Sequence, residues 1–394
     1  SDVNYSVEMS ALAALSLGLI FVGACHEDTI TSIIEILQER TEAQLNMTIS
    51  RFYAVALGLL FFGMQEACEA TLDVVKGITH PIARYIELTV ESCAYMGSGN
   101  VLKVQKMLHE CIEHLEEKDS AFQAVAVLGI ALIASSEEIG NEMVGRTLNH
   151  LLQYGELTIK RAIPLALALL NISNPKLPVQ DLLMKLAHDS DVELSQRAII
   201  ALGLIGAGTN NARLADLLRQ LASYYQKEDN TMFFIRISQG LLYMGKGLLT
   251  LQPYYSDRFL LSKVAASGLV IFAHACLDLQ NILLGKYHYL YYFLGISMSS
   301  RMFFTVDENL VPLPVSVRVG QAVDTVGQAG QPKKITGFQT HTSPVILAHG
   351  QKAEIGTEEY IPVSDCVLEN IVILKKNPDY KPEVEKPRKK TSLQ

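Results

Sequence analysis

The residue types that most often carry catalysis are present, but they do not converge. Ten histidines are scattered singly along 394 residues, and His274 and His288 stand among apolar neighbours. Neither HExxH nor GxSxG occurs. Gly245-Lys246-Gly247 lacks the upstream glycine spacing and the Ser/Thr that a phosphate-binding loop requires. Cys25 and His26 are adjacent, so their side chains diverge on any helix and make a poor nucleophile–base pair. The six cysteines (Cys25, Cys68, Cys93, Cys111, Cys276 and Cys366) form no CxxC pair, and most lie in apolar stretches. They read as buried thiols in a reducing compartment. A non-catalytic protein is expected, with no metal and no cofactor.

A different chemistry is written into residues 26–40. Asp28, Glu35 and Glu39 stand at i, i+7 and i+11. At 100° per residue, Glu35 and Glu39 fall within about 20° of Asp28, on one helix face. Asp28 lies near the helix N-terminus, where negative charge is favoured. Such a stripe steers and orients a basic protein surface, and a merely solvated helix face is the plainer alternative. Asp2, Glu8 and Glu42 could extend the field. Glu113, Glu116, Glu117 and Asp119 form a second acidic run, read as a solvated helix end and turn. Arg213, Arg219, Lys227 and Arg236 could meet a partner on later helices, and Tyr287, Tyr289, Tyr291, Tyr292 and Phe293 read as a packed junction.

The elements that must position these residues come from an internal repeat. A small residue recurs at Gly18, Gly58, Ser92, Gly129, Ala168, Gly203, Gly240 and Gly268, at intervals of 28 to 40 residues, and a second follows five positions later in each copy. Each period holds two helical patterns. The first is apolar nearly all round, so it must be buried on all sides. The second is amphipathic, over residues 31–40, 69–77, 102–116, 144–154, 179–188 and 214–225. The chain therefore reads as a mainly α solenoid of helix pairs. A glycine inside a helix costs roughly 1 kcal/mol relative to Ala, which close helix approach would offset. Bare inner helices beside bulkier outer ones imply strong curvature, toward a toroid.

Composition agrees. Hydrophobic residues make up 49% and charged residues 19%, too apolar for disorder. The net charge of −8 gives no bulk basic field for nucleic acid. The apolar runs 11–24, 54–64 and 124–134 fall short of the ~20 residues that span a bilayer. The sequence opens at Ser1 in mid-pattern without an initiator Met, and is expected to be part of a longer polypeptide.

The repeated Leu-Gly-Leu-x-x-x-Gly phrase, over residues 7–277, resembles the proteasome/cyclosome repeat family. Phe303 to Val319 and Leu368 to Asn377 resemble the smaller proteasomal branch of that family; the larger branch and the anaphase-promoting-complex member are the alternatives. The resemblance implies an α-toroid scaffold in the base of the proteasome regulatory particle, in cytoplasm and nucleus. It implies docking on proteasomal ATPase subunits and other regulatory-particle subunits. It also implies binding of ubiquitin, of the ubiquitin-like domains of shuttle receptors, and of a deubiquitinase, with no nucleic acid or membrane partner. Asp28, Glu35 and Glu39 match the acidic residues of the family's ubiquitin-binding site, with Glu35 replacing an Asp.

The hydrophobic period changes toward the C-terminus. Residues 315–319, 335–338, 344–348 and 371–374 read as short strands, with a mobile Gly/Gln loop over 320–334. The expected layout is a helical array over 1–280, a junction over 281–302, a small β-rich domain over 303–380 and a disordered basic tail over 381–394.

Overall fold

The computed structural model describes residues 6–115, 120–136, 138–256, 260–323, 333–364 and 370–380. Asp2, Glu116, Glu117, Asp119, Cys366 and the basic tail lie outside the described residues. The chain divides into two compact units, Ser1–Ser300 and Arg301–Gln394.

The first unit is helical. Its helices are α1 (Val7–Ile20), α2 (Glu27–Glu39), α3 (Glu42–Leu45), α4 (Arg51–Leu60), α5 (Glu69–Lys76), α6 (Ile82–Ala94), α7 (Val101–Glu110), α8 (Ala121–Ala134), α9 (Glu138–Tyr154), α10 (Leu157–Leu170), α11 (Leu177–Leu186), α12 (Val192–Gly206), α13 (Ala212–Tyr224), α14 (Asp229–Leu242) and α15 (Lys263–Ala275). The apolar helices α1, α4, α6, α8, α10, α12 and α14 stack in that order, each on the next. The amphipathic α2, α5, α7, α9, α11 and α13 cover them, as the alternation of patterns requires. The helix expected over 102–116 is shorter: α7 stops at Glu110, and Cys111 and Ile112 continue as a turn.

The two small residues of each repeat do different work. The first lets backbones meet. A Cβ on Gly18 would sit 2.9 Å from the Ala56 carbonyl oxygen, and one on Gly203 would sit 2.8 Å from Ser238 Cα. The second stays helical at Ala134 and Ala273. In five of the other copies it forms a left-handed turn: φ is +62° at Gly23, +72° at Gly63, +69° at Gly97, +51° at Ser173 and +67° at Gly208. Each such turn donates its N–H to a carbonyl near the C-terminal end of the next inner helix. Gly23 reaches Leu59 (2.9 Å), Gly63 reaches Cys93 (3.1 Å), Gly97 reaches Leu132 (3.0 Å), Ser173 reaches Leu204 (3.2 Å) and Gly208 reaches Leu241 (2.9 Å). Orphan helix carbonyls are thereby satisfied by the neighbouring repeat.

After α14 the chain turns back and retraces the stack. The Leu251 N–H donates to Ser173 Oγ at 3.1 Å, and Tyr254 Oη bonds Ser135 Oγ. Further on, α15 runs along the inside of the curve. Its His274 Nδ1 lies 2.9 Å from Tyr85 Oη on α6. Arg197 of α12, 4% exposed, donates to the carbonyls of Cys276 (2.9 Å) and Leu277 (2.7 Å) just past the end of α15. Thr48 then bonds Asp278 at 3.3 Å, and Lys286 pairs with Glu8 at 3.0 Å. The inner helices thus curve around α15. The helical turn His288–Ser297 packs on α15, with the Tyr291 ring edge-on to Phe272 at 5.8 Å, inside the core of the helical unit.

The second unit is a β-sandwich. Its strands are numbered after β1 (Leu249–Thr250) and β2 (Ser299–Ser300), which pair within the helical unit. They are β3 (Met302–Val306), β4 (Ser316–Val323), β5 (Lys334–Thr342), β6 (Val345–Ile346), β7 (Gln351–Ile355), β8 (Tyr360–Pro362) and β9 (Ile371–Lys376). One sheet has the order β6-β3-β9-β8, with β3 and β9 parallel, and the other has the order β5-β4-β7. Phe303, Val317, Val319, Ala353, Val372 and Leu374 meet between them. Part of the segment expected as a mobile loop is regular: Gly320–Val323 belongs to β4, and Lys334 opens β5. Residues 324–332 lie outside the described residues.

Candidate functional site

Helix α2 begins where its sequence can satisfy its first turn. His26 is the N-cap: its Nδ1 accepts from the Thr29 N–H at 3.3 Å, and its ring stacks on Phe21 at 4.3 Å. Glu27 and Asp28 occupy the first turn, where the helix dipole favours negative charge. Ile30, Ile33 and Leu37 are buried and hold the helix against the stack. With that side fixed, the opposite face is determined. Asp28, Glu35 and Glu39 are all exposed, together with Thr31, Ser32 and Gln38. The stripe is about 16 Å long at 1.5 Å per residue. Among the described residues, none of the three carboxylates makes an ion pair within 4 Å. Arg40, the cation nearest in sequence, points back and donates to Ser10 Oγ at 2.8 Å.

The other candidates are differently placed. Glu8 is committed to Lys286, and Glu42 lies exposed in the first turn of α3. Glu113 pairs with Arg84 at 3.0 Å, which holds its carboxyl below the usual range by hydrogen bonding and charge. Arg213 pairs with Asp181 at 2.7 Å, and Arg236 donates to Gln239 at 2.9 Å. Cys25 and His26 form no dyad: the imidazole is used as a cap, and burial pushes the thiol pKa up. Gly245 and Lys246 form a left-handed turn rather than a phosphate loop. Sequence reasoning missed the His26 cap, because histidine is not among the preferred N-caps. It also missed the Arg40–Ser10 bond, which leaves the stripe without a countercharge.

Segments of the repeat and of the C-terminal unit match known family models. Residues 198–229 match the proteasome/cyclosome repeat, and residues 326–380 match the C-terminal region of 26S proteasome non-ATPase regulatory subunit RPN1. The chain is 56% identical, over 97% of its length, to 26S proteasome non-ATPase regulatory subunit 2 homolog A of Arabidopsis thaliana. The chain belongs to the 26S proteasome non-ATPase regulatory subunit 2 family. Within that family it is also 52% identical over 96% of its length to the Dictyostelium discoideum subunit 2, and 50% identical over 96% to regulatory subunit rpn1 of Schizosaccharomyces pombe. It spans 43% of the Arabidopsis relative and 42% of each of the other two.

Proposed function

We infer that this chain is a non-catalytic scaffold segment of a proteasome regulatory-particle base subunit, and that α2 is a receptor face for ubiquitin and ubiquitin-like domains. One observation carries the site: Asp28, Glu35 and Glu39 are exposed, aligned and, among the described residues, without an ion-pair partner. A carboxylate row held rigid on one side and open on the other attracts a partner with a basic rim, raising its association rate and fixing its orientation. The scaffold reading also covers the ATPase ring, other regulatory-particle subunits and a deubiquitinase as further partners, in cytoplasm and nucleus. It is supported by the relatives being named proteasome regulatory subunits.

The test is a titration of isotope-labelled ubiquitin, and of a shuttle-receptor ubiquitin-like domain, watched by NMR. Against the parent chain, the double reversal Asp28→Lys/Glu35→Lys is expected to weaken binding by about tenfold or more, or 1.4 kcal/mol. Unchanged shifts and affinity in the folded variant would remove α2 as the site. Co-purification with the proteasomal ATPases tests the assembly, and its absence in the full-length subunit would remove the scaffold reading.

A further inference from the structure

The β-sandwich has four sheet edges, and three are shorter than the fourth. β6 has two residues, β8 has three and ends in Pro362, and β7 has five. Short strands and proline are the usual protection against edge pairing. β5 is different. It is nine residues long, and every residue except the half-buried Ile335 is exposed. Its backbone bonds only to β4; among the described residues its outer edge has no partner.

The edge is also shaped. Between Val319 and Gln321 the register shifts against β5, where three residues are advanced for two on β4. Gly320 permits this, since a Cβ there would lie 2.9 Å from the Thr336 carbonyl oxygen, and Gly337 takes φ +60° opposite it. Past the bulge, Gln339 pairs with Val319 and His341 with Val317. Directly opposed residues share a face, so Gln339 and His341 point to the side of the sheet that carries the core. They stand where the sandwich is open. A cleft of about 280 Å³ lies there, with Val319, Val345 and Ile346 as apolar walls and Gln321, Gln339 and His341 as polar lining. These last three side chains have no hydrogen-bond partner among the described residues. The volume is below the ~300–1,000 Å³ of sites for drug-sized ligands and suits side chains.

We propose that β5 is a docking edge for an extended acidic peptide, which adds as a further strand and places an aliphatic side chain in the cleft between the sheets. Main-chain pairing supplies affinity and the cleft selects alternate residues. Charge selects the sign: β5 carries Lys334 and no carboxylate, with Lys333 before it and Lys352 close by, while Arg318 of β4 stands directly opposite Glu354 of β7. A second copy of β5 would bring the same positive set, which disfavours self-pairing.

The probe is a fluorescein-labelled, end-capped peptide alternating Glu with Val or Ile, titrated into the full chain by anisotropy. Its counterpart with Lys for Glu is the control. The acidic peptide is expected to bind about tenfold tighter than the control, and to slow amide exchange in β5. Lys334→Glu with Gln339→Glu, both at exposed positions, is expected to weaken it about tenfold while circular dichroism stays unchanged; Ile346→Lys is the second variant should that pair misfold. The proposal is overturned by no binding at about 1 mM peptide, by equal binding of the two peptides, by unchanged affinity in the folded variants, by protection away from β5, or by dimerisation of the free chain through β5.

Discussion

Two acidic surfaces, α2 and the α6–α7 pair, look alike as sequence and differ as chemistry. On α6 and α7 the carboxylates are consumed. Glu87 and Glu91 hold Lys106 at 2.7 and 2.9 Å, Glu91 also holds Lys103 at 3.2 Å, and Arg84 binds Glu110 and Glu113. Glu91 is 3% exposed, so its charge is part of the interior. On α2 the three carboxylates are exposed, with no cation in ion-pair range among the described residues. Acidic composition therefore does not make a docking surface. Burial of the opposite face, and the absence of a countercharge among the described residues, leave charge available on α2.

The comparison is broken most strongly at Lys103 and Lys106. Replacing both with Ala leaves Glu91 buried and unpaired, and about 3–5 kcal/mol of stability should be lost; urea midpoints that match the parent would show this network to be idle. Next comes pH, through the contact of α6 with α15. Burial holds the His274 pKa down at about 3, with the nearby Arg51 charge adding to the effect. Below its unfolded value near 6.5, the unfolded chain takes up a proton that the folded chain refuses. Stability should fall from about pH 6.5 toward pH 3, by up to about 1.4 kcal/mol per unit, and His274→Gln should flatten that part of the curve. A melting series with equal slopes for both proteins would reject the link.

Smaller again is Gly58→Leu. A Cβ there already approaches Cys93 Sγ on α6 at 2.9 Å, so overpacking should cost about 1–3 kcal/mol. A melting curve within error of the parent would argue against close approach. The smallest effect belongs to α2: Asp28→Lys/Glu35→Lys should change stability by no more than about 0.5 kcal/mol. A larger loss in calorimetry would mean that those carboxylates serve the fold, as Glu91 does.

The sequence exposed the helix pairs because apolar residues recur at the helical period and small ones at the repeat period. It did not separate Gly18 from Gly23. Both are glycines in register, but Gly18 lies bare on a helix face and Gly23 takes a left-handed turn. Gly240 keeps the register, yet a Cβ there would meet nothing within 4 Å. Arg197 was illegible because its partners lie about eighty residues on, in carbonyls that any sequence supplies. β3 was missed for a similar reason: its parallel partner β9 is far along the chain. The α2 stripe was legible as three positions on a helix wheel. Its freedom from Arg40 was not, since that depends on Ser10 of the preceding helix.

The return of the chain past α14 changes how such an array can fail. In an open row of repeats, damage at one end stays local, because each repeat answers only to its neighbours. Here the stretch from Leu251 to Lys286 touches α10, α8, α6, α12 and α1 in turn. It works like a drawstring: a single protease nick near Tyr254 should slacken many repeats together, so that the unit melts as one rather than fraying.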